Sequence, residues 1–206
     1  ASGNWSDVGI WESSLDNSTW SDATLSPNST DYKTTISSSH IVDIIVNVTA
    51  DEIDVLGTLN ANTLLTLNDG AGTDLTVENG GKLIFSYLPT YSGSAKALIK
   101  TGGKLTISNG STASTSIVHT STDYENASVL EYSLSNPSAS GVIVFPNADA
   151  VTIPTLKILQ SINSFGASGT LDIKGNLEIT SGATLNINGT GLKTVRNNLI
   201  VNGTLN

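Results

Sequence analysis

Residues 68–85 read NDGAGTDLTVENGGKLIF, and two quite different structures can be built from them. The first half, Asp69-Gly-Ala-Gly-Thr-Asp74, has the look of a calcium-binding turn of the glycine- and aspartate-rich nonapeptide type. The second half, Gly80-Gly-Lys-Leu-Ile-Phe85, looks like a chain corner feeding a buried strand. That second half repeats, because Gly102-Gly-Lys-Leu-Thr-Ile107 follows 22 residues later. A recurring interval is the signature of a repeat architecture and takes precedence over any local motif.

Apolar pairs keep the same interval. Ile53-x-Val55, Leu75-x-Val77 and Leu98-Ile99 place Val55, Val77 and Ile99 at steps of 22, and Val151 and Ile173 also lie 22 apart. A third set reads Ile53-Asp-Val-Leu-Gly-Thr-Leu59, Leu171-Asp-Ile-Lys-Gly-Asn-Leu177 and Leu199-Ile-Val-Asn-Gly-Thr-Leu205. Between about residues 110 and 150 the register drifts, as insertions would make it do.

Inside each repeat the pattern alternates with period two, as in Leu171-x-Ile173, Leu177-x-Ile179 and Leu185-x-Ile187. Alternation puts every second side chain on one face of a strand. Gly and Asn punctuate the runs at Gly175-Asn176, Ser181-Gly182 and Asn188-Gly189, where they turn the chain without a helix. No window sustains a 3.6-residue stripe, and even Leu156–Phe165 reads as strand plus corner. The expected fold is therefore all-β: a parallel, right-handed β-helix or β-solenoid with coils of about 22 residues. A two-sheet sandwich also uses short alternating strands, but it gives no reason for a fixed interval.

Composition agrees. The chain has 206 residues, no cysteine and a charged fraction of 13%, about half the usual share. Cysteine nucleophiles and thiolate metal sites are excluded. The net charge is −9, and the eight lysines and Arg196 are scattered. Nucleic-acid binding would want a basic stripe, so no nucleic-acid partner is expected. No apolar run approaches the roughly 20 residues of a spanning helix, so membrane insertion is not expected either. Eight Asn-x-Ser/Thr sequons, at Asn4, Asn17, Asn28, Asn47, Asn109, Asn126, Asn188 and Asn202, are close to chance in a chain so rich in these residues.

Residues 1–36 depart from the repeat and hold all three tryptophans, Trp5, Trp11 and Trp20, with Pro27 and Tyr32. An open first coil would expose backbone edges that invite pairing with other chains. Two segments follow: an aromatic cap over 1–36 and a solenoid over 37–206. The tryptophans suit the role of a plug on the open core. Trp11 and Trp20 are also candidates for stacking on a sugar ring.

Gly3-Asn-Trp-Ser6, then Trp11, then TTISSSHIVDIIVNVTADEIDVLGTLN at 34–60 resembles the opening of secreted surface proteins of Bacteroidetes-type bacteria. GTLDIKGNLEITSGATLNINGTG at 169–191 has the same character, and the similarity extends over most of the chain. The resemblance implies a parallel β-helix that is exported as type IX secretion cargo, and an adhesin-like or stalk role with no catalytic residues. The chain stops at Asn206 inside a repeat, so it reads as part of a longer protein.

Chemistry has few footholds. A calcium roll needs its nonapeptide repeated on successive coils, whereas Asp69–Val77 lacks the first glycine, carries Thr76 at the apolar position and occurs once. One adventitious calcium at Asp69 or Asp74 is the only metal reading left open, and no cofactor is expected. At a step of 22, Asp74 lies between Glu52 and Lys96, which suggests a surface charge ladder. His40 and His119 stand far apart without an acidic partner; His40, on a strand of the first coil, suits packing or capping. Serine-hydrolase, zinc-protease and phosphate-loop motifs do not occur, and no catalytic residue is assigned. A flat threonine array is not expected, since Thr63/Thr66, Thr73/Thr76 and Thr112/Thr115 do not share a register. The expectation is a non-catalytic, secreted or cell-surface structural or adhesin-like module. Its partners would be a bacterial secretion apparatus or cell-surface glycans and proteins. A carbohydrate-binding or polysaccharide-degrading β-helix is the alternative.

Overall fold

A computed structural model describes residues 1–31, 33–108, 121–133, 142–145, 151–167, 171–188 and 192–206. Among them the only helical element is a single 3-10 turn, Val8–Ile10. The rest is short strands, and all the pairings between them are parallel except one hairpin in the cap, Glu12–Ser13 with Ser21–Asp22. The chain winds as a β-solenoid.

One nine-stranded sheet runs the length of the coil: Gly3–Asn4, Ile41–Ile44, Thr58–Ala61, Lys82–Phe85, Lys104–Ser108, Val129–Ser133, Thr155–Ile158, Leu177–Ile179 and Leu199–Val201. Its first strand comes from the cap and the others from successive coils. A second face holds Thr34–Ile36, Ile53–Val55, Leu75–Val77, Ala97–Ile99 and Thr122–Tyr124, and continues separately with Val151–Ile153, Leu171–Ile173 and Lys193–Val195. The third face is made of Val48–Ala50, Leu65–Leu67 and Thr90–Tyr91, then Val142–Phe145, Ile162–Ala167, Thr184–Asn188 and Thr204–Leu205. The strand Thr34–Ile36 pairs with Ile53–Val55, so the second face begins within the segment assigned to the cap.

Parallel in-register stacking turns the period-two alternation into columns. On the long sheet the inward residues form the series Val42, Leu59, Leu83, Leu105, Leu130, Leu156, Leu177, Leu199. The next inward column runs Ile44, Ala61, Phe85, Ile107, Tyr132, Ile158, Ile179, Val201. Ala61 pairs with Phe85, so a small side chain meets a large one in this column, and both are buried. Leu59, Leu83, Leu105, Leu130 and Leu156 are wholly buried, each stabilising the fold by about 1.5–3 kcal/mol.

The Gly-Gly corners explain themselves at Gly80-Gly81. Gly80 has φ +80°, a conformation that costs other residues about 1–2 kcal/mol. Gly81 packs so tightly on the coil below that a Cβ there would lie 2.0 Å from the Val55 carbonyl oxygen. One glycine turns the chain and the other lets two backbones meet. Gly102-Gly103 repeats the arrangement.

The interval is not uniform, and this corrects two alignments. Val151 and Ile173 are not equivalent: the register pairs Val151 with Leu171 and Ile153 with Ile173, a step of 20. Leu199–Leu205 is likewise not the counterpart of Ile53–Leu59. Leu199 pairs with Leu177 on the long sheet, and Lys193 is the residue opposite Leu171. The apolar-x-apolar-x-Gly-x-Leu pattern therefore serves two different corners of the coil. Beyond the cap strand, the widest steps on the long sheet, Leu105 to Leu130 and Leu130 to Leu156, span the region where the sequence register drifts.

Candidate functional site

The loop between Leu65–Leu67 and Leu75–Val77 holds the acidic residues singled out by the calcium-like motif. Asp69 is exposed, and its Oδ2 accepts the Ser94 N–H at 2.9 Å from the following coil. Asp74 is buried at 1% exposure. Its Oδ1 accepts the Gly70 N–H at 2.9 Å and its Oδ2 the Lys96 N–H at 2.7 Å. Both carboxylates thus satisfy backbone donors at a corner that has no strand partner for them. Among the described residues no group of three or more His, Asp or Glu side chains is placed to share a metal ion.

The surface charge ladder is corrected at the same place. Glu52, Asp74 and Lys96 do stack in register, as the bonds Ile53 N to Asp74 O and Asp74 N to Lys96 O require. Asp74 nevertheless points inward to the loop, and it takes the Lys96 backbone N–H in place of an ammonium. The carboxyl beside it is that of Asp51, the residue before Glu52. Burial first, then the neighbouring Asp74 carboxyl, holds Asp51 above the usual carboxylate range.

His40 also shifts role. It stands in the turn before Ile41–Ile44, half-buried, and its carbonyl accepts the Thr58 N–H at 2.9 Å. Its backbone makes the corner, as the close approach of Gly57 confirms. His119 lies outside the described residues.

In the cap, Trp5 and Trp11 form one unit. Trp5 is buried with the core, donates its indole N–H to the Pro27 carbonyl at 2.9 Å and meets Trp11 edge-on at 5.2 Å. Trp11 donates to the Trp5 carbonyl at 2.9 Å. Trp20 is apart from both, 53% exposed on the cap hairpin. The plug therefore consists of Trp5 and Trp11, and of the two candidate sugar-stacking residues only Trp20 presents much of its ring to solvent.

The hairpin tip is organised by Asp16. Its Oδ1 accepts the N–H groups of Ser18 and Thr19 and the Ser14 hydroxyl, and its Oδ2 accepts the Thr19 hydroxyl. These donors drive the Asp16 carboxyl far below its usual range, the Thr19 amide most of all. Leu15 beside it is fully exposed.

A threonine column that the sequence reading missed stands on the third face. Thr49 pairs with Thr66 and Thr66 with Thr90. Steps of 17 and 24 residues hide it from any search at 22.

The remaining charges join coil to coil. Lys33 pairs with Asp54, Lys100 with Glu78 at 2.7 Å, Lys104 with Glu131 at 2.9 Å, Lys157 with Glu178 at 3.5 Å and Arg196 with Asp172 at 2.7 Å. Arg196 grips Asp172 through both Nε and an Nη, and this contact holds the Asp172 carboxyl below its usual range. Comparison of the chain with protein-family models, with curated proteins and with solved structures returns no match.

Proposed function

We propose that this chain is a non-catalytic structural or adhesin-like module of a secreted or cell-surface protein, carried to its site by a bacterial secretion apparatus. The observation that supports this reading is the use of its charged side chains. Each ion pair among the described residues bridges neighbouring coils, and Asp69 and Asp74 fasten backbone from one coil to the next. Such a side-chain set serves a rod that must hold its shape. It leaves the exposed cap to make contacts with glycans or proteins. The resemblance of 1–60 to exported bacterial surface proteins points the same way.

The test is binding against turnover. Purified protein applied to immobilised cell-surface glycans and to acidic polysaccharides is expected to release no product. Release of unsaturated or reducing ends would overturn the non-catalytic reading. The carbohydrate-binding alternative is favoured by the half-exposed Trp20 ring, since a flat aromatic suits the face of a sugar. Tight glycan binding abolished by Trp20→Ala and retained in Trp11→Phe would establish that alternative over a stalk.

A further inference from the structure

Asp51 and Asp74 are acids on neighbouring coils whose carboxyl groups meet at a single residue, Gly70. Asp74 Oδ1 accepts the Gly70 N–H at 2.9 Å. A Cβ built on Gly70 would lie 2.2 Å from Asp51 Oδ2 and 2.7 Å from its carboxyl carbon, so Asp51 is packed flat against the glycine. Asp51 Oδ1 accepts the Glu52 N–H at 3.0 Å, and Glu52 itself is held at φ +47°, in the left-handed region that favours glycine. A strained residue persists only where its surroundings over-determine it.

We propose that Asp51 and Asp74 form a proton-operated clasp between successive coils, closed when one proton is shared by the two carboxyls and loosened when that proton leaves. Two carboxylates gathered around one glycine cannot both be charged without repulsion, and a shared proton turns the repulsion into a hydrogen bond. Asp74 is the acceptor, because each of its oxygens already takes a backbone N–H, from Gly70 and from Lys96. Asp51 is the group that keeps the proton.

The charged groups around the pair do not offset the repulsion. From the Asp51 corner comes Glu52, and from the loop of the next coil Asp69, whose Oδ2 is turned to the Ser94 N–H. From the coil beyond comes Lys96, exposed, whose backbone N–H is the group that bonds Asp74. Among the described residues neither Asp51 nor Asp74 takes part in an ion pair.

The direction of the pH effect follows. Asp51 is held above the ordinary carboxylate value in the folded chain, by burial first and by Asp74 second. Its contribution is complete below that ordinary value and is lost as pH rises through the raised one. The loop 68–74 should therefore be tighter in acid than at neutral pH, the reverse of an acid paired with a cation.

Amide hydrogen exchange tests the clasp in the intact protein. The reporters are the Gly70 and Lys96 amides, both bonded to Asp74, with the Lys82 amide, bonded to the Gly57 carbonyl at another corner, as control. Protection factors at Gly70 and Lys96 are expected to fall as pH rises from about 4 to about 8, roughly tenfold for each unit by which Asp51 is raised, while Lys82 stays constant. In Asp51→Asn the amide donates to Asp74 at every pH, and the fall should vanish. A fall of equal size in Asp51→Asn, or none in the natural protein, overturns the proposal. Should the variant fail to fold, the carboxyl-carbon NMR titration of Asp51 in the unaltered protein decides: a midpoint at the ordinary aspartate value overturns the clasp, and a raised one supports it.

Discussion

At the scale of single residues, what fixes this molecule is where two backbones touch and where a carboxylate meets an amide. Gly81 is the sharpest case, because the obstacle to a side chain is the Val55 carbonyl oxygen, 2.0 Å from a Cβ placed there. A backbone atom of a packed strand cannot swing aside. Gly81→Ala is therefore expected to lower stability by about 1–3 kcal/mol or more, read as a drop in the urea midpoint. A midpoint within error of the unaltered protein would mean that the corner can part. Asp172 gives a pH test of opposite sense to Asp51. Arg196 holds its carboxyl below the usual range, so the folded state is favoured above the ordinary aspartate pKa and loses that advantage as pH falls through the depressed value. The gap in urea midpoint between the natural protein and Arg196→Gln should be constant near neutrality and close as pH drops below about 4. A gap that persists in strong acid would show the guanidinium acting through packing alone.

At the scale of elements, strands and corners differ in how far they can be read from sequence. The period-two runs were legible because burial on one face imposes alternation on any half-buried strand, and Leu83–Phe85 and Leu105–Ile107 stack on each other in register. The Gly80-Gly81 and Gly102-Gly103 corners were legible for a similar reason: the same geometry demands the same two residues. Assignment of strands to faces was not. Leu171–Leu177 and Leu199–Leu205 look alike in sequence, yet the second set sits one face further round, because a corner that needs Gly and a following Leu can occur twice in one coil. The acids of 69–74 misled in another way. Their roles depend on amides about 22 residues away, at Ser94 and Lys96, and a local motif cannot reveal a partner on the next coil. The cap hairpin makes an element-scale prediction. Asp16 gathers the amides of Ser18 and Thr19 at an exposed hairpin tip, so Asp16→Ala should speed exchange of those two amides while the global unfolding midpoint stays put. A fall in that midpoint would mean the hairpin supports the plug formed by Trp5 and Trp11.

At the scale of the whole molecule, the solenoid is a one-dimensional stack in which each coil touches only its neighbours, and energetic coupling should follow that geometry. Leu59 and Leu156 belong to the same inward column but are separated by the strands carrying Leu83, Leu105 and Leu130. At about 4.8 Å per strand that is roughly 19 Å, beyond the reach of a shared cavity. Leu83 and Leu105 are direct neighbours in register. Each Leu→Ala change should cost about 2–5 kcal/mol, the residual cavity deciding where in that range it falls. The pair Leu59→Ala with Leu156→Ala is expected to add within about 0.5 kcal/mol, whereas Leu83→Ala with Leu105→Ala should miss additivity by more, since the two voids merge into one. Urea unfolding of the four single and two double variants supplies the comparison, provided each retains a single transition. Equal coupling in near and distant pairs would contradict a nearest-neighbour stack. It would place the control of stability in something that spans all the coils, and the continuous nine-stranded sheet is the one element built to do so.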